Sequence, residues 1–170
     1  MIRTAIITLS DKGFKGERED LTGKVLREYI ENHKEYKMEY YRLLPDDYNN
    51  IVRELEFLAD NDMVDLVITN GGTGFSKRDV TPEATIIAME REVPGVAEYM
   101  RMKSMEITPK GMLSRGVCGI RKNTVFLNLP GSPKGAMENL SFVIDTLIHG
   151  IEILKGEASE CAEPMEEEKR

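Results

Sequence analysis

The sequence predicts a single α/β domain in which a mostly parallel sheet is covered by helices on both faces. Three observations carry the prediction. Short apolar runs alternate with segments of helical period. The third such run, Asp65 to Asn70, empties directly into a glycine-rich loop. Proline follows a hydroxyl residue at two later helix starts, Thr81-Pro82 and Ser132-Pro133. At 170 residues the chain has the length of one domain, and one with about 150 ordered residues buries roughly 70% of its unfolded surface without staples.

Taken in order, Thr4 to Leu9 reads as a buried strand ending at Ser10-Asp11, and Gly13 to Asp20 as a polar loop. Leu21, Val25, Leu26, Tyr29 and Ile30 then recur at helical spacing. Lys37 to Leu44 forms a second strand that stops at Pro45-Asp46-Asp47, and Ile51, Leu55 and Leu58 mark the next helix. Leu66 to Thr69 is the third strand. Beyond the glycine loop, Thr81 as N-cap, Pro82 and Glu83 announce a helix through about Arg91, and Pro94-Gly95 breaks it. Val96 to Glu106 is helical again. Val117 to Ile120 and Val125 to Leu127 flank Arg121-Lys122-Asn123 either as a hairpin or as two successive strands. Ser132-Pro133 opens a long helix carrying Leu140, Val143, Ile144, Leu147 and Ile151. No internal repeat or dividing linker is present, so residues 1–155 read as the domain and 156–170 as an acidic, disordered tail.

Charge narrows the partners. From Gly156 onward six Glu oppose Lys169 and Arg170, so the tail carries −4 of the net −7 and the body only −3. A body so nearly balanced offers no electrostatic footprint for nucleic acid. The apolar runs are too short to span a membrane, and Met1-Ile2-Arg3 leads straight into a strand, so a cytoplasmic protein is expected. Cys118 and Cys161 stand in unlike settings and read as free thiols. Met100, Met102, Met105 and Met112 suit core or subunit-contact filling. His33 and His149, read as helical, lie far from every loop considered below, which disfavours a histidine-activated nucleophile.

The chemistry is expected at the carboxyl ends of the strands, where open parallel sheets bind ligands. Four ends offer Ser10-Asp11, Asp46-Asp47, the Asn70 to Asp79 loop and Asn128 to Ser132. Gly71, Gly72, Thr73 and Gly74 form a loop whose N–H groups can turn toward phosphate oxygens. The helix starts at Pro82 and Pro133, with Lys77, Arg78, Arg115 and Lys134, supply further anion recognition. Asp11, Asp46, Asp47 and Asp79 supply hard oxygens for a magnesium ion bridging to phosphates. Each has a plainer use: Asp46 or Asp47 as a helix cap, Asp79 closing a turn, Ser132 as a cap, Arg115 and Lys134 as surface charges. Neither the Gly-Lys-Ser/Thr of a P-loop nor the third glycine of the dinucleotide fingerprint is present, which disfavours a motor-type ATPase or an NAD enzyme.

With these residues in view, the chain resembles the molybdopterin adenylyltransferase family of molybdenum cofactor biosynthesis, which includes the N-terminal domain of gephyrin. The resemblance runs from about Thr4 to Leu154. It rests on Thr8-Leu9-Ser10-Asp11, on TNGGTGFSKRDVTPEAT from Thr69 to Thr85, on Leu113-Ser114-Arg115, and on NLPGSPKG from Asn128 to Gly135. It implies a three-layer α/β/α fold, commonly trimeric, that binds magnesium-ATP and molybdopterin and forms adenylyl-molybdopterin with release of diphosphate. It implies catalytic, metal-holding roles for Asp46 and Asp79. Nucleotide and pterin contacts fall to Ser10, Asp11, Gly71, Gly72, Thr73, Gly74, Ser114, Arg115, Pro130, Gly131, Ser132 and Lys134, and other cofactor-assembly enzymes would be transient partners. Asn70 departs from the Thr that some members carry. The rival readings are a non-catalytic molybdopterin-binding scaffold whose acidic tail recruits a partner, and a nucleotide hydrolase on the same domain.

Overall fold

A computed structural model of the chain describes residues 1–156. Apart from Gly156, the expected acidic tail, with Cys161, lies outside the described residues. The strands are β1 (Ile2–Leu9), β2 (Tyr36–Leu44), β3 (Leu66–Asn70), β4 (Arg91–Glu92), β5 (Cys118–Arg121) and β6 (Thr124–Leu129). The helices are α1 (Asp11–Phe14), α2 (Leu21–Glu31), α3 (Tyr48–Asp60), α4 (Thr81–Ala88), α5 (Pro94–Ile107) and α6 (Pro133–Lys155), with a 3₁₀ turn over Pro109–Leu113. Among the described residues no helix is long and apolar enough to cross a membrane.

One sheet runs in the order β2-β1-β3-β6-β5-β4. β2, β1, β3 and β6 are parallel, while β5 returns antiparallel beside β6 and β4 pairs antiparallel with β5. The segment around Arg121 is therefore a hairpin, with Lys122 at a φ of 50° in its turn. The central strands are buried on both faces, which is why they read as continuous apolar runs rather than alternating ones. Ile6, Ile68 and Leu127 face the layer of α2, α5 and α6 together with Leu26, Leu140 and Ile144. Ala5, Ile7, Val67 and Phe126 face the other layer, with Leu55, Leu58 and Ala84. The expected three-layer α/β/α fold follows from these two cores.

Several local expectations are corrected. The polar loop after β1 contains the short α1, capped by Ser10, whose Oγ accepts from Gly13 N at 3.1 Å. Thr81 is not an N-cap: Val80 holds that position without a side-chain cap, and the fully buried Thr81 instead donates through Oγ1 to the Gly71 carbonyl at 2.9 Å. α4 ends at Ala88 rather than near Arg91, because Arg91 and Glu92 are drawn into the sheet against Ile120 and Gly119. His33 lies just past α2, where its Nε2 meets Asp145 Oδ1 at 3.1 Å. Met100 is core, whereas Met102, Met105 and Met112 are exposed. Cys118 is a buried free thiol, and burial pushes its pKa up to about 12.

The strand order creates the site. The chain leaves β1 toward β2 on one side, and it leaves β3 on the other, toward β4 at the far edge beyond β6. The loops after β1 and β3 therefore diverge, opening a crevice at their carboxyl ends.

Candidate active site

That crevice is a cleft of about 660 Å³. Its walls are Ser10 beyond β1, Asp46 beyond β2, Gly71, Gly72 and Asp79 beyond β3, and Gly131 and Ser132 beyond β6, so the four carboxyl ends do converge. A second pocket of about 300 Å³ lies across the glycine loop, lined by Thr73, Gly74, Ser114, Pro130 and Ser132. Ser132 borders both and caps α6, its Oγ accepting from Gly135 N at 3.2 Å. The N-terminus of this 23-residue helix is thus turned toward the cleft, where its partial positive charge favours anions.

The glycines have a physical reason beside the one the sequence suggests. Gly71 and Gly72 adopt φ values of +101° and +64°, and a Cβ on Gly71 would stand 2.3 Å from the Leu9 carbonyl oxygen. On Gly72 it would stand 2.3 Å from Thr81 Oγ1 and 3.3 Å from Asp46 Oδ1; on Gly74, 2.8 Å from Asp79 Oδ2. The missing side chains therefore make room for the protein's own atoms, which lets the loop press down between β1 and the two aspartates.

Asp46 and Asp79 are held by backbone. Asp46 Oδ2 accepts from Asp11 N at 3.0 Å, and Asp11 Oδ1 accepts in return from Asp46 N at 3.1 Å, clasping the loops after β1 and β2 together. Asp79 Oδ2 accepts from Ser76 N at 3.1 Å, closing the turn that was its plainer reading. The helix-capping role at this end belongs to Asp47, whose Oδ1 accepts from Asn50 N at 2.9 Å, leaving Asp46 free of it. Burial raises the proton affinity of Asp46, and the like charges of Asp11 and Asp79 add to the shift. Asp46 forms no ion pair among the described residues, so a cation placed there would relieve both effects. No cluster of three or more potential metal-ligating side chains occurs among the described residues. Asp46 and Asp79 are the carboxylates that could hold a magnesium ion, with water and substrate phosphates completing its shell.

The cations nominated from sequence are mostly engaged elsewhere. Arg78 donates to Asp11 from Nε at 3.0 Å and from Nη2 at 2.9 Å, which holds the Asp11 carboxyl below its ordinary range. Asp11 is not in the cleft wall; it braces Arg78 against the Asp46 loop. Arg115 donates from Nε to the Gly74 carbonyl at 2.7 Å and from Nη2 to the Asp79 carbonyl at 2.6 Å, and it pairs with Glu83. It therefore fastens the glycine loop and lies beside a shallow pocket with Phe75 and Lys77. Lys134 is exposed and pairs at 3.8 Å with Glu138, outside the cleft wall.

Other residues in the wall were not singled out from sequence. Asp20 caps α2 by accepting from Gly23 N at 2.8 Å, while its other oxygen accepts from Thr8 Oγ1 and from Tyr41 OH, both at 2.6 Å. Burial pushes the Tyr41 pKa up to about 12, with Asp20 reinforcing the shift. Thr8 spends its hydrogen on Asp20 and so accepts from Asn70 Nδ2 at 3.0 Å, which orients the Asn70 amide. Asn70 Oδ1 is then a buried acceptor without a partner among the described residues. An Asp immediately before an apolar helical period is a cap signal and would have found Asp20; Thr8 stands in the Thr8-Leu9-Ser10-Asp11 string without a role read for it, and nothing local marks Arg18, another cleft residue.

Residues 5–149 match the family model described as "Probable molybdopterin binding domain". The chain is 38% identical over 159 residues to the molybdopterin adenylyltransferase of Helicobacter pylori (strain ATCC 700392 / 26695), covering 91% of this chain and 89% of that protein. It is 39% identical over 155 residues to the molybdopterin adenylyltransferase of Escherichia coli K12, covering 88% and 80%. Among solved structures, the molybdopterin biosynthesis enzyme MoaB of Thermus thermophilus superposes with a TM-score of 0.86 at 47% identity, over 92% of this chain and 98% of that one.

Proposed function

The chain belongs to the molybdopterin-binding domain family, and from that premise we propose that its cleft carries the transfer of the adenylyl group of ATP to the terminal phosphate of molybdopterin. The protein is an adenylyltransferase of molybdenum cofactor biosynthesis, as its relatives at 38–39% identity are named. The observation that carries the assignment to this cleft is the pair Asp46 and Asp79, set beside the Gly71-Gly72 loop at the switch point of the sheet.

In this reading a terminal phosphate oxygen of molybdopterin attacks the α-phosphorus of ATP, and the bond to the β-phosphate bridging oxygen breaks, releasing diphosphate. The nucleophile is already anionic, so no strong general base is required; alignment and neutralisation of charge are. The glycine loop and the α6 N-terminus bind the nucleotide phosphates, and the pocket across the loop receives the second substrate, with Ser132 on the shared wall. A magnesium ion bound by Asp46 and Asp79 would supply countercharge to the triphosphate. Asp11, Arg78 and Arg115 hold these parts in register.

A cytoplasmic homotrimer belongs to the same proposal. Tyr99, Met102, Met105, Ile107, Met112 and Leu113 on α5 and the following 3₁₀ turn expose an apolar face suited to contact between copies.

The experiment is product analysis with ATP, magnesium and molybdopterin, using the full chain and a chain ending at Gly156, whose left-handed backbone caps α6. Equal amounts of adenylyl-molybdopterin and diphosphate are expected from both. Tight molybdopterin binding without ATP-dependent product would replace this reading with a pterin-binding scaffold, and activity in the full chain alone would place the tail within the working domain. Because Arg115 fastens the loop through two carbonyls, Arg115→Ala should lower kcat about tenfold or more, with a stability change of about 1 kcal/mol. Unchanged kcat would show that the loop keeps its shape without it.

A further inference from the structure

We propose that Arg18 is the cleft's phosphate-binding cation, contacting a phosphate of one of the two substrates. The inference rests on the adenylyltransfer reading above. Among the described residues, Arg18 is the sole Lys or Arg in the wall of the 660 Å³ cleft, where Glu19, Asp20, Asp46 and Asp79 contribute four carboxylates. Two polyanionic substrates cannot meet beside four carboxylates without countercharge, and a metal ion at Asp46 and Asp79 would answer only two of the four.

The cations that the sequence offers for this purpose are committed or misplaced. Arg78 is forked onto Asp11, Arg115 onto the Gly74 and Asp79 carbonyls, Lys134 faces Glu138, and Lys77 lines the neighbouring shallow pocket. Arg18, by contrast, is exposed and forms no ion pair or side-chain hydrogen bond among the described residues.

Its backbone is nevertheless fixed. Upstream, Glu17 N donates to the Lys12 carbonyl at 2.9 Å and Gly16 turns the chain at a φ of +73°. Two residues downstream, Asp20 is tied to Gly23 N, Thr8 and Tyr41. The loop therefore presents an unspent guanidinium from a short, anchored arch, the arrangement that permits bidentate recognition of a phosphate at low ordering cost.

The test compares Arg18→Ala, Arg18→Glu and Arg18→Lys with Lys24→Ala, an exposed charge on α2 outside the cleft. Magnesium-ATP affinity is read by calorimetric titration, and KM for ATP and for molybdopterin by steady-state kinetics. In Arg18→Ala, KM for one substrate should rise about tenfold, with a larger rise in Arg18→Glu, partial recovery in Arg18→Lys, and a smaller change in kcat. Lys24→Ala and all melting temperatures should stay at the parent value. A rise confined to ATP, with matching loss of calorimetric affinity, assigns Arg18 to the triphosphate; one confined to molybdopterin assigns it to the pterin phosphate. Values for both substrates within twofold of the parent in Arg18→Ala and Arg18→Glu overturn the proposal, as does an equal effect in Lys24→Ala. If the parent protein forms no adenylylated product, the reading of the reaction fails by itself, and calorimetric titration with magnesium-ATP and with molybdopterin decides: unchanged affinity for both in Arg18→Ala then overturns the role.

Discussion

Asp46→Asn and Asp79→Asn are each expected to lower turnover at least about 100-fold while the fold persists, the scale seen when an electrostatic contact to the transition state is lost. The geometry separates this outcome from damage to the fold. Asn at 46 retains an oxygen that can accept from Asp11 N, and the cap of α3 belongs to Asp47. The raised proton affinity of Asp46 also fixes the sign of the stability change. A carboxyl whose pKa rises on folding contributes stability that is fully present below its unfolded value, about 3.9, and lost as pH rises through the folded value. At pH 7 the charged Asp46 is therefore a burden on the free protein, and Asp46→Asn should melt at the parent temperature or above it. The difference should shrink as the pH falls to that of an ordinary aspartic acid. Stabilisation of the parent by magnesium and ATP should be largely absent in both variants. Near-normal turnover by purified Asp79→Asn would remove it from the reaction, leaving it as the closing residue of the Ser76 turn.

Gly71→Ala should be the most destabilising substitution in the glycine loop. The residue sits at a φ of +101°, and the new Cβ would stand 2.3 Å from the Leu9 carbonyl oxygen, backbone that belongs to a central strand. Strain at such a φ costs about 1–3 kcal/mol, and overpacking a similar amount. A combined loss of about 3 kcal/mol corresponds to a fall in Tm of roughly 10 °C for a domain of this size. Gly74→Ala provides the contrast. Its Cβ would meet only the Asp79 carboxylate, at 2.8 Å, so turnover should fall with little change in Tm. Thermal melts of the two variants beside their activities check both statements. A Gly71→Ala protein melting within 2 °C of the parent, on the roughly 10 °C scale just given, would mean that the loop relaxes at no cost.

Much of this architecture could be read from the chain because its causes are local. Helical period, the Ser132-Pro133 start and the apolar runs of β1, β3 and β6 depend on residues a few positions apart, so the elements and the class of fold were legible. The glycine loop and the aspartates were legible as well, since they fall where strands end. Where local signals compete, the reading failed. Thr81 looks like a cap by its neighbours, yet it is spent on the Gly71 carbonyl ten residues away. Arg91 continues a helical pattern, yet pairing with β5 claims it.

What lay beyond the sequence is which charges find each other. Arg78 meets Asp11 across 67 positions, Arg115 meets Gly74 across 41, and Asp46 meets Asp11 across 35. Those partnerships exist because the strand order sets the ends of β2, β1, β3 and β6 side by side. Folding in this way ties Arg78 and Arg115 to the protein's own atoms and sets Arg18, from the polar loop after β1, in the wall of the cleft. A side chain's charge is a property of its residue, but whether that charge is free to meet a substrate depends on neighbours that only long-range packing supplies.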